Sequence, residues 1–279
     1  SKVDLNARPE CYCSTQLHPL RIPKIIHQSW KNSTLPKRFE RWANTWKQHH
    51  PTWTYILWTD EMNRRLVELN FPWFLDTYDS FPNNIERADS VRYLYMYKYG
   101  GVYADLDMEC LRAMDAPYDK GKLSLVDRGP ALLSFLGKDM DFKHSIPNAW
   151  MASAPGHPFW MVVINEIMKG RKRGVWVAEE ATGPIMLRTA WMIYSNYTSG
   201  ETEQLVTLAS EYIFPYNWSN STDLIEICSA QRSTINENEC KRLLRAQGRP
   251  GQKPYAITYW SHSWEDHEIN RDVLDEKGK

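Results

Sequence analysis

Two aspartates one residue apart, Asp105 and Asp107, follow the apolar run Val102-Tyr103-Ala104. In an extended strand residues i and i+2 share a face, so the spacing predicts two convergent carboxylates. Such a pair is costly without a cation between its members, and oxygen donors suit Mg²⁺ or Mn²⁺ completed by phosphate oxygens and water. The tripeptide alone carries little, since Asp139-Met140-Asp141 has the same spacing in a polar stretch between Lys138 and Lys143. The surroundings separate the two. Asp89 and Arg92 lie three apart, on one face of a predicted helix. Gly100-Gly101 then makes a tight turn into the strand, with room for backbone to approach a ligand. Tyr103 is expected to point away from the aspartates, into the core or against a ligand. Glu109 extends the alternation, near the cation or simply solvated.

The elements that must position these residues alternate. Ile25 to Trp30 reads as a strand running into a loop, and Pro36 opens a helix carrying Phe39, Trp42 and Trp46 at spacings of three and four. Trp53 to Trp58 is a second strand, aromatic and β-branched. Thr59 caps the next helix, with Asp60 and Glu61 in its first turn. A further helix runs from Ile85 to Tyr99, before the strand Val102 to Asp107. Later come a strand from Asn148 to Ser153, a helix from Pro158 to Met168, a helix opened by Thr182-Gly183-Pro184 and a strand from Ala256 to Tyr259. The alternation predicts an α/β fold, a mainly parallel central sheet flanked by helices. Ligands in such sheets sit beyond the carboxyl ends of strands, where Trp30 and the aspartate pair both fall. With no repeat or linker, one domain is expected over residues 22–270, between an irregular lead-in (1–21) and a tail (271–279).

Bulk properties narrow the classes. Apolar residues make up 42% of the 279, enough for a sizeable core, and 34 basic residues balance 34 acidic ones. A neutral chain has no overall field to recruit nucleic acid or an anionic membrane. Thirteen Trp and fifteen Tyr supply flat amphipathic surfaces suited to sugars and bases as well as to a core. No apolar run reaches the roughly 18 residues of a spanning helix. The chain starts at Ser1, and a signal or anchor removed upstream is expected. Sequons at Asn32, Asn196, Asn217 and Asn220 point to the secretory pathway. The five cysteines fit the same compartment. Cys228 and Cys240 could close a short loop worth roughly 2–4 kcal/mol, and Cys11 or Cys13 could reach Cys110; reduced, buried cysteines are the alternative.

The run from Ile85 to Tyr93, then Tyr99 to Asp107, together with Ile22 to Gln28, Pro72-Trp73-Phe74-Leu75 and Cys110, resembles the DXD-containing sugar transferases of glycosyltransferase family 32. The nearer likeness is to the branch that mannosylates inositol phosphorylceramide; a second is to initiating α-1,6-mannosyltransferases. The resemblance is dense from Ile22 to Asp115 and implies a GT-A-type, Rossmann-like fold. It implies that Asp89 and Arg92 hold the hydroxyls of the donor sugar. Trp30 would stack on the nucleotide base, with Gln28 and Ser29 nearby, and Gly101, Tyr103 and Asn148 would line the donor. His27 reads as a hydrogen-bonded structural histidine. The segment Trp260 to Trp264 resembles one that closes over the diphosphate, with His262 as third metal ligand and Ser263 and Trp264 on phosphate. Glu180 and Thr182 would border the acceptor. The implied activity is metal-dependent, retaining transfer of a hexose, mannose from GDP-mannose ahead of UDP-galactose, UDP-glucose or UDP-N-acetylglucosamine. The acceptor would be a glycolipid or glycan hydroxyl, inositol phosphorylceramide among them, in the secretory lumen and the Golgi. Nucleic acid is not an expected partner, and membrane attachment is expected through segments outside this chain. A sugar-binding protein on an inactive scaffold would have lost one of Asp89, Arg92, Asp105 or Asp107. A hydrolase would need more metal ligands than these.

Overall fold

A computed structural model of the chain describes residues 21–117, 123–137, 142–196, 204–216, 226–228, 235–247 and 254–261. In chain order its elements are β1 (Ile25–Ser29), α1 (Lys37–His49), β2 (Thr54–Trp58), α2 (Asp60–Asn70), α3 (Leu75–Asp79), α4 (Asn84–Lys98), β3 (Gly101–Ala104) and β4 (Met108–Cys110). There follow β5 (Ala131–Ser134), β6 (Trp150–Ser153), α5 (Phe159–Lys172), α6 (Ala178–Ala181), α7 (Pro184–Ser195), β7 (Leu205–Leu208), α8 (Glu237–Gln247) and β8 (Ala256–Thr258). Six strands form the central sheet in the order β2-β1-β3-β6-β5-β7. The pairs β1–β2, β1–β3 and β5–β7 are parallel, and β6 runs antiparallel to both its neighbours. The expected α/β architecture, a mostly parallel sheet flanked by helices, is therefore present. A separate antiparallel pair, β4–β8, takes up the chain after the aspartates.

Local chemistry sets the boundaries. Thr59 Oγ1 accepts from Met62 N at 3.2 Å to start α2, as the sequence predicts. Asn83 and Glu86 form a reciprocal capping box that starts α4. From Ser90 to Met96 every residue of α4 is buried, because the helix lies between the sheet and other helices. Gly100 (φ 63°) and Gly101 (φ 94°) end it in the left-handed region. A Cβ at Gly100 would lie 2.5 Å from Ser153 O, and one at Gly101 2.6 Å from Ile25 O. These glycines let β3 close against β1 and β6, at the end of β3 remote from Asp105.

Four expectations are corrected. The strand predicted through Asp107 stops at Ala104; Asp105 N spends its bond on Ala149 O (2.8 Å), and Met108 N closes a turn on Asp105 O (3.1 Å) before β4 begins. The strand predicted from Asn148 begins at Trp150, because Asn148 and Ala149 form a turn. The helix predicted to end at Met168 continues to Lys172. Cys110 is a buried free thiol that donates to Arg112 O at 3.2 Å, so it has no disulfide partner; Cys11 and Cys13 lie outside the described residues. Cys228 and Cys240 are bonded, as expected. Asp139 to Asp141 also lie outside the described residues. Among the described residues no helix is long and apolar enough to cross a membrane.

The sheet is tied to α4 through one buried histidine. His27 Nδ1 accepts from Trp58 Nε1 at 3.0 Å, so its Nε2–H donates to Gly100 O at 2.8 Å. Its ring stacks with Tyr95, which stacks in turn on Trp58 at 4.4 Å. Burial pushes the imidazole down to about 4 from 6.5, although the Gly100 carbonyl favours the proton. An unfolded chain takes up that proton below about pH 6.5, the native one only near pH 4, so stability is full above pH 6.5 and is lost as pH falls toward 4. Denaturant titrations should show the His27→Gln variant losing about 2 kcal/mol less than the parent between pH 7 and pH 5. Parallel losses in both proteins would refute the assignment.

Candidate active site

The carboxyl end of β3 and the second and third turns of α4 meet around one guanidinium. Asp89 and Arg92, one turn apart on α4, join through Arg92 Nη2 and Asp89 Oδ1 at 2.7 Å. Arg92 Nη1 reaches Asp105 Oδ1 at 3.2 Å and donates to Asn148 O at 3.0 Å. The guanidinium lies 4.6 Å over the Tyr103 ring, a cation–π contact. Arg92 is 5% exposed and Asp89 6%. Burial pushes the Asp89 carboxyl up to about 7, with Arg92 opposing the rise and Asp105 adding to it. Burial also opposes the Arg92 charge, yet Asp89, Tyr103 and Asp105 together hold the guanidinium above its ordinary range. Asp105 is raised as well, by burial against the pull of Arg92 and Tyr103.

Tyr103 does not point away from the aspartates. Its hydroxyl donates to Asp105 Oδ1 at 2.7 Å, because residues 103 and 105 lie two apart on an extended backbone and share a side. Asp105 Oδ1 is thus gripped by two donors. Gln28 acts through its side chain: Nε2 donates to Asp105 O at 3.1 Å, and Oε1 accepts from Tyr55 OH at 2.8 Å. Asn148, in the turn before β6, supplies its carbonyl to Arg92 and its Nδ2 to Tyr93 OH at 3.3 Å. Tyr93 OH donates to Thr182 O at 2.7 Å, so Thr182 joins the same network.

Asp107 is fixed differently. Its Oδ2 accepts from Ser261 N at 2.8 Å and Ser261 Oγ at 3.1 Å, and its carbonyl from Tyr259 N at 3.0 Å. The turn between β3 and β4 is therefore clamped by the segment after β8. Glu109 is not solvated. It is buried on β4, bound to Lys241 of α8 at 2.8 Å and, beside β8, to Tyr259 OH at 2.5 Å.

Other predicted residues fall around this centre. Ser29 Oγ accepts from Asn63 Nδ2 at 3.4 Å. Trp30, half-buried just past β1, sets its ring edge-on to Phe39 at 5.1 Å. Glu180 is exposed on α6. Gly101 is not brought to the group, since it opens β3 at the opposite end. His262, Ser263 and Trp264 lie outside the described residues. Ser261 and Tyr93 were not predicted. The first sits in the run Trp260 to Trp264 already singled out, whereas a tyrosine on a buried helix carries no sequence signal separating it from core. A cavity of about 190 Å³ lined by Asp60, Tyr78, Asn84 and Arg87 opens beside α4 and does not include the aspartates.

Among the described residues no three His, Cys, Asp or Glu converge as a metal cage. The half-exposed carboxylates of Asp105 and Asp107 are hard oxygen donors, and a pair of this kind fits Mg²⁺ or Mn²⁺ shared with phosphate oxygens and water.

Comparison with known proteins converges on the same segment. Residues 36–123 match a family described as glycosyltransferase sugar-binding region containing DXD motif. The chain is 37% identical over 186 residues to inositol phosphoceramide mannosyltransferase 3 of Schizosaccharomyces pombe, covering 64% of this chain and 48% of that protein. It is 35% identical over 186 residues to a mannosyl phosphorylinositol ceramide synthase of Saccharomyces cerevisiae (65% of this chain, 45% of that one). Against the initiation-specific alpha-1,6-mannosyltransferase of Candida albicans it is 32% identical over 101 residues, 34% of this chain and 26% of that one. The chain spans about half the length, or less, of these relatives. The family match over residues 36–123 includes Asp89, Arg92 and both aspartates of the pair.

Proposed function

We propose that the protein is a divalent-metal-dependent, retaining glycosyltransferase that moves mannose from GDP-mannose to a hydroxyl of a glycolipid or glycan. The observation that carries this reading is the buried Arg92 at the end of β3, bound to Asp89 on one side and Asp105 on the other. Asp89 and Arg92 orient the sugar, and Tyr103 and Gln28 keep Asp105 in register. Asp105 and Asp107 would hold Mn²⁺ or Mg²⁺, whose chemistry is to neutralise charge on the departing diphosphate. Trp30 supplies a stacking face for the base, with Gln28 and Ser29 beside it. Asn148 lines the sugar side; Glu180 and Thr182 border the acceptor. In this reading His262 adds a third metal ligand, and Ser263 and Trp264 contact phosphate.

The acceptor oxygen attacks the anomeric carbon from the face that the diphosphate leaves. The bond from that carbon to the diphosphate oxygen breaks, the new glycosidic bond forms, and the acceptor proton passes to the leaving phosphate. Mannose and an inositol phosphoceramide acceptor are favoured because three relatives of Schizosaccharomyces pombe carry those words in their names. A UDP-sugar donor is the second reading, since base selection rests on side chains around Trp30. The catalytic domain is assigned to residues 22–270. The Cys228–Cys240 bond and exposed sequon asparagines at Asn32 and Asn196 support a secretory, Golgi location.

Thermal-shift titration should show GDP stabilising the protein more with Mn²⁺ than without, and more than UDP does. Asp107→Ala should keep the fold, lose the metal-dependent part of the shift and abolish transfer; near-normal turnover would sink the metal site. Arg92→Met should cost roughly 3–5 kcal/mol by stranding two carboxylates. Adding Asp89→Asn should restore part of that stability and none of the turnover. Recovery of transfer in the double variant would show that the pair is structural alone.

A further inference from the structure

The run Lys169-Gly170-Arg171-Lys172-Arg173-Gly174-Val175-Trp176-Val177 has four cations and no acid, in a chain whose charges cancel as a whole. Its fold makes it a surface. Trp176 is 59% exposed and Val177 57%, and Lys172 and Arg173 are exposed beside them. The Trp176 ring is held in place, with the Arg171 guanidinium lying 3.9 Å over it. Arg171 is itself anchored, Nε donating to Ser80 Oγ at 2.9 Å and Nη2 to Ser80 O. A solvent-facing indole braced by a cation, with two more cations alongside, has the chemistry of a membrane–water interface.

Topology places this surface at the aspartate end of the sheet. β6 is antiparallel to β3, with Gly101 opposite Ser153, so the chain leaves β6 at the end remote from Asp105. α5 then returns, and the Arg171–Ser80 contact fixes its last turn beside the start of α4, the end that bears Asp89. Beyond Val177, α6 leads to Thr182, whose carbonyl accepts from Tyr93 OH in the Asn148 network. Acidic groups limit the patch: Lys169 is paired with Glu166, and Glu179 and Glu180 are exposed on α6.

We infer that residues 171–177 dock on an anionic lipid surface, with Trp176 and Val177 entering the interface, Lys172 and Arg173 facing the headgroups and Arg171 bracing the indole. Docking there turns the end of the sheet that bears Asp105 toward the bilayer. Where the transferase reading holds, the acceptor is then a lipid whose polar head is presented from a membrane.

Sedimentation of this chain with vesicles tests the surface without donor, metal or turnover, so its outcome is separate from that of the proposed reaction. Binding is expected to phosphatidylcholine vesicles containing phosphatidylserine, to be much weaker with phosphatidylcholine alone, and to fall as salt rises. The Lys172→Gln/Arg173→Gln pair, which disturbs no packed atoms, should weaken partitioning by roughly thirtyfold. Trp176→Ala should weaken it on the order of tenfold. Trp73→Ala removes an indole that is 48% exposed beyond the far end of α2, and should bind as the parent does. Equal binding to neutral vesicles, unchanged binding in the charge pair and in Trp176→Ala, or an equal loss in Trp73→Ala would overturn the proposal.

Discussion

Everything at the end of β3 depends on keeping one guanidinium out of water. Burying an ion costs several kcal/mol even after relaxation, and Arg92 is buried almost completely. The cost is offset by Asp89, Asp105, the Asn148 carbonyl and the Tyr103 ring, drawn from α4, the end of β3 and the turn before β6. Arg92 Nε remains buried without a partner among the described residues, a local cost of about 1–3 kcal/mol. Two carboxylates against one guanidinium leave the trio one negative charge in excess whenever both are ionised. Adding Asp107 makes the strand end more negative still, although the chain as a whole is neutral. An arrangement of this kind favours a cation at one spot and leaves no general field.

The break between β3 and β4 has the second largest consequence. Had the strand continued through Asp107, both carboxylates would belong to one rigid ladder. Instead Asp105 is attached to the central sheet, through Ala149 and Tyr103, while Asp107 is attached through Ser261 to the segment that leaves β8. The two acids are held by different sheets, and their separation depends on how the β4–β8 pair seats against the rest. Glu109 fastens that pair by binding Lys241 of α8 and Tyr259. An acid that continues the alternation of Asp105 and Asp107 thus serves assembly rather than the site.

Elements whose signals are local were legible in the sequence. The Thr59 cap, the Gly100-Gly101 turn and the aromatic strand Thr54–Trp58 each follow from residue chemistry over a few positions. His27 also reads as a hydrogen-bonded structural histidine, although its partners Gly100 and Trp58 lie far along the chain. What escaped depends on partners distant in sequence. The end of β3 is decided by Ala149, the fate of Glu109 by Lys241 and Tyr259, and the clamp on Asp107 by Ser261. β5 and β7 escaped because four-residue apolar runs have no period that separates strand from buried helix. In sequence Gly101 reads as a glycine beside a ligand, yet the same absence of a Cβ is what Ile25 requires. A glycine needed for close approach does not reveal in sequence what approaches it.

The connectivity also brings two different flanks to the aspartate end of the sheet. β1 and β2 bring Trp30 to one flank of the aspartates, beside α1. β6, antiparallel to β3, sends its chain away and returns it through α5, so Arg171, Trp176 and Thr182 reach the opposite flank at the same end. Had β6 been parallel, α5 would run the other way, and its basic last turn would lie far from Asp105. In the proposed transferase, the antiparallel strand therefore sets the direction from which an acceptor approaches. Arg92 stands between the flanks, bonded to Asn148 in the turn before β6 and to Asp105 at the centre. A shift of the α6 segment that moved Thr182 would reach Arg92 through two side chains, Tyr93 and Asn148. Thr182 on one flank and the Arg92 centre are thus joined by hydrogen bonds within the protein.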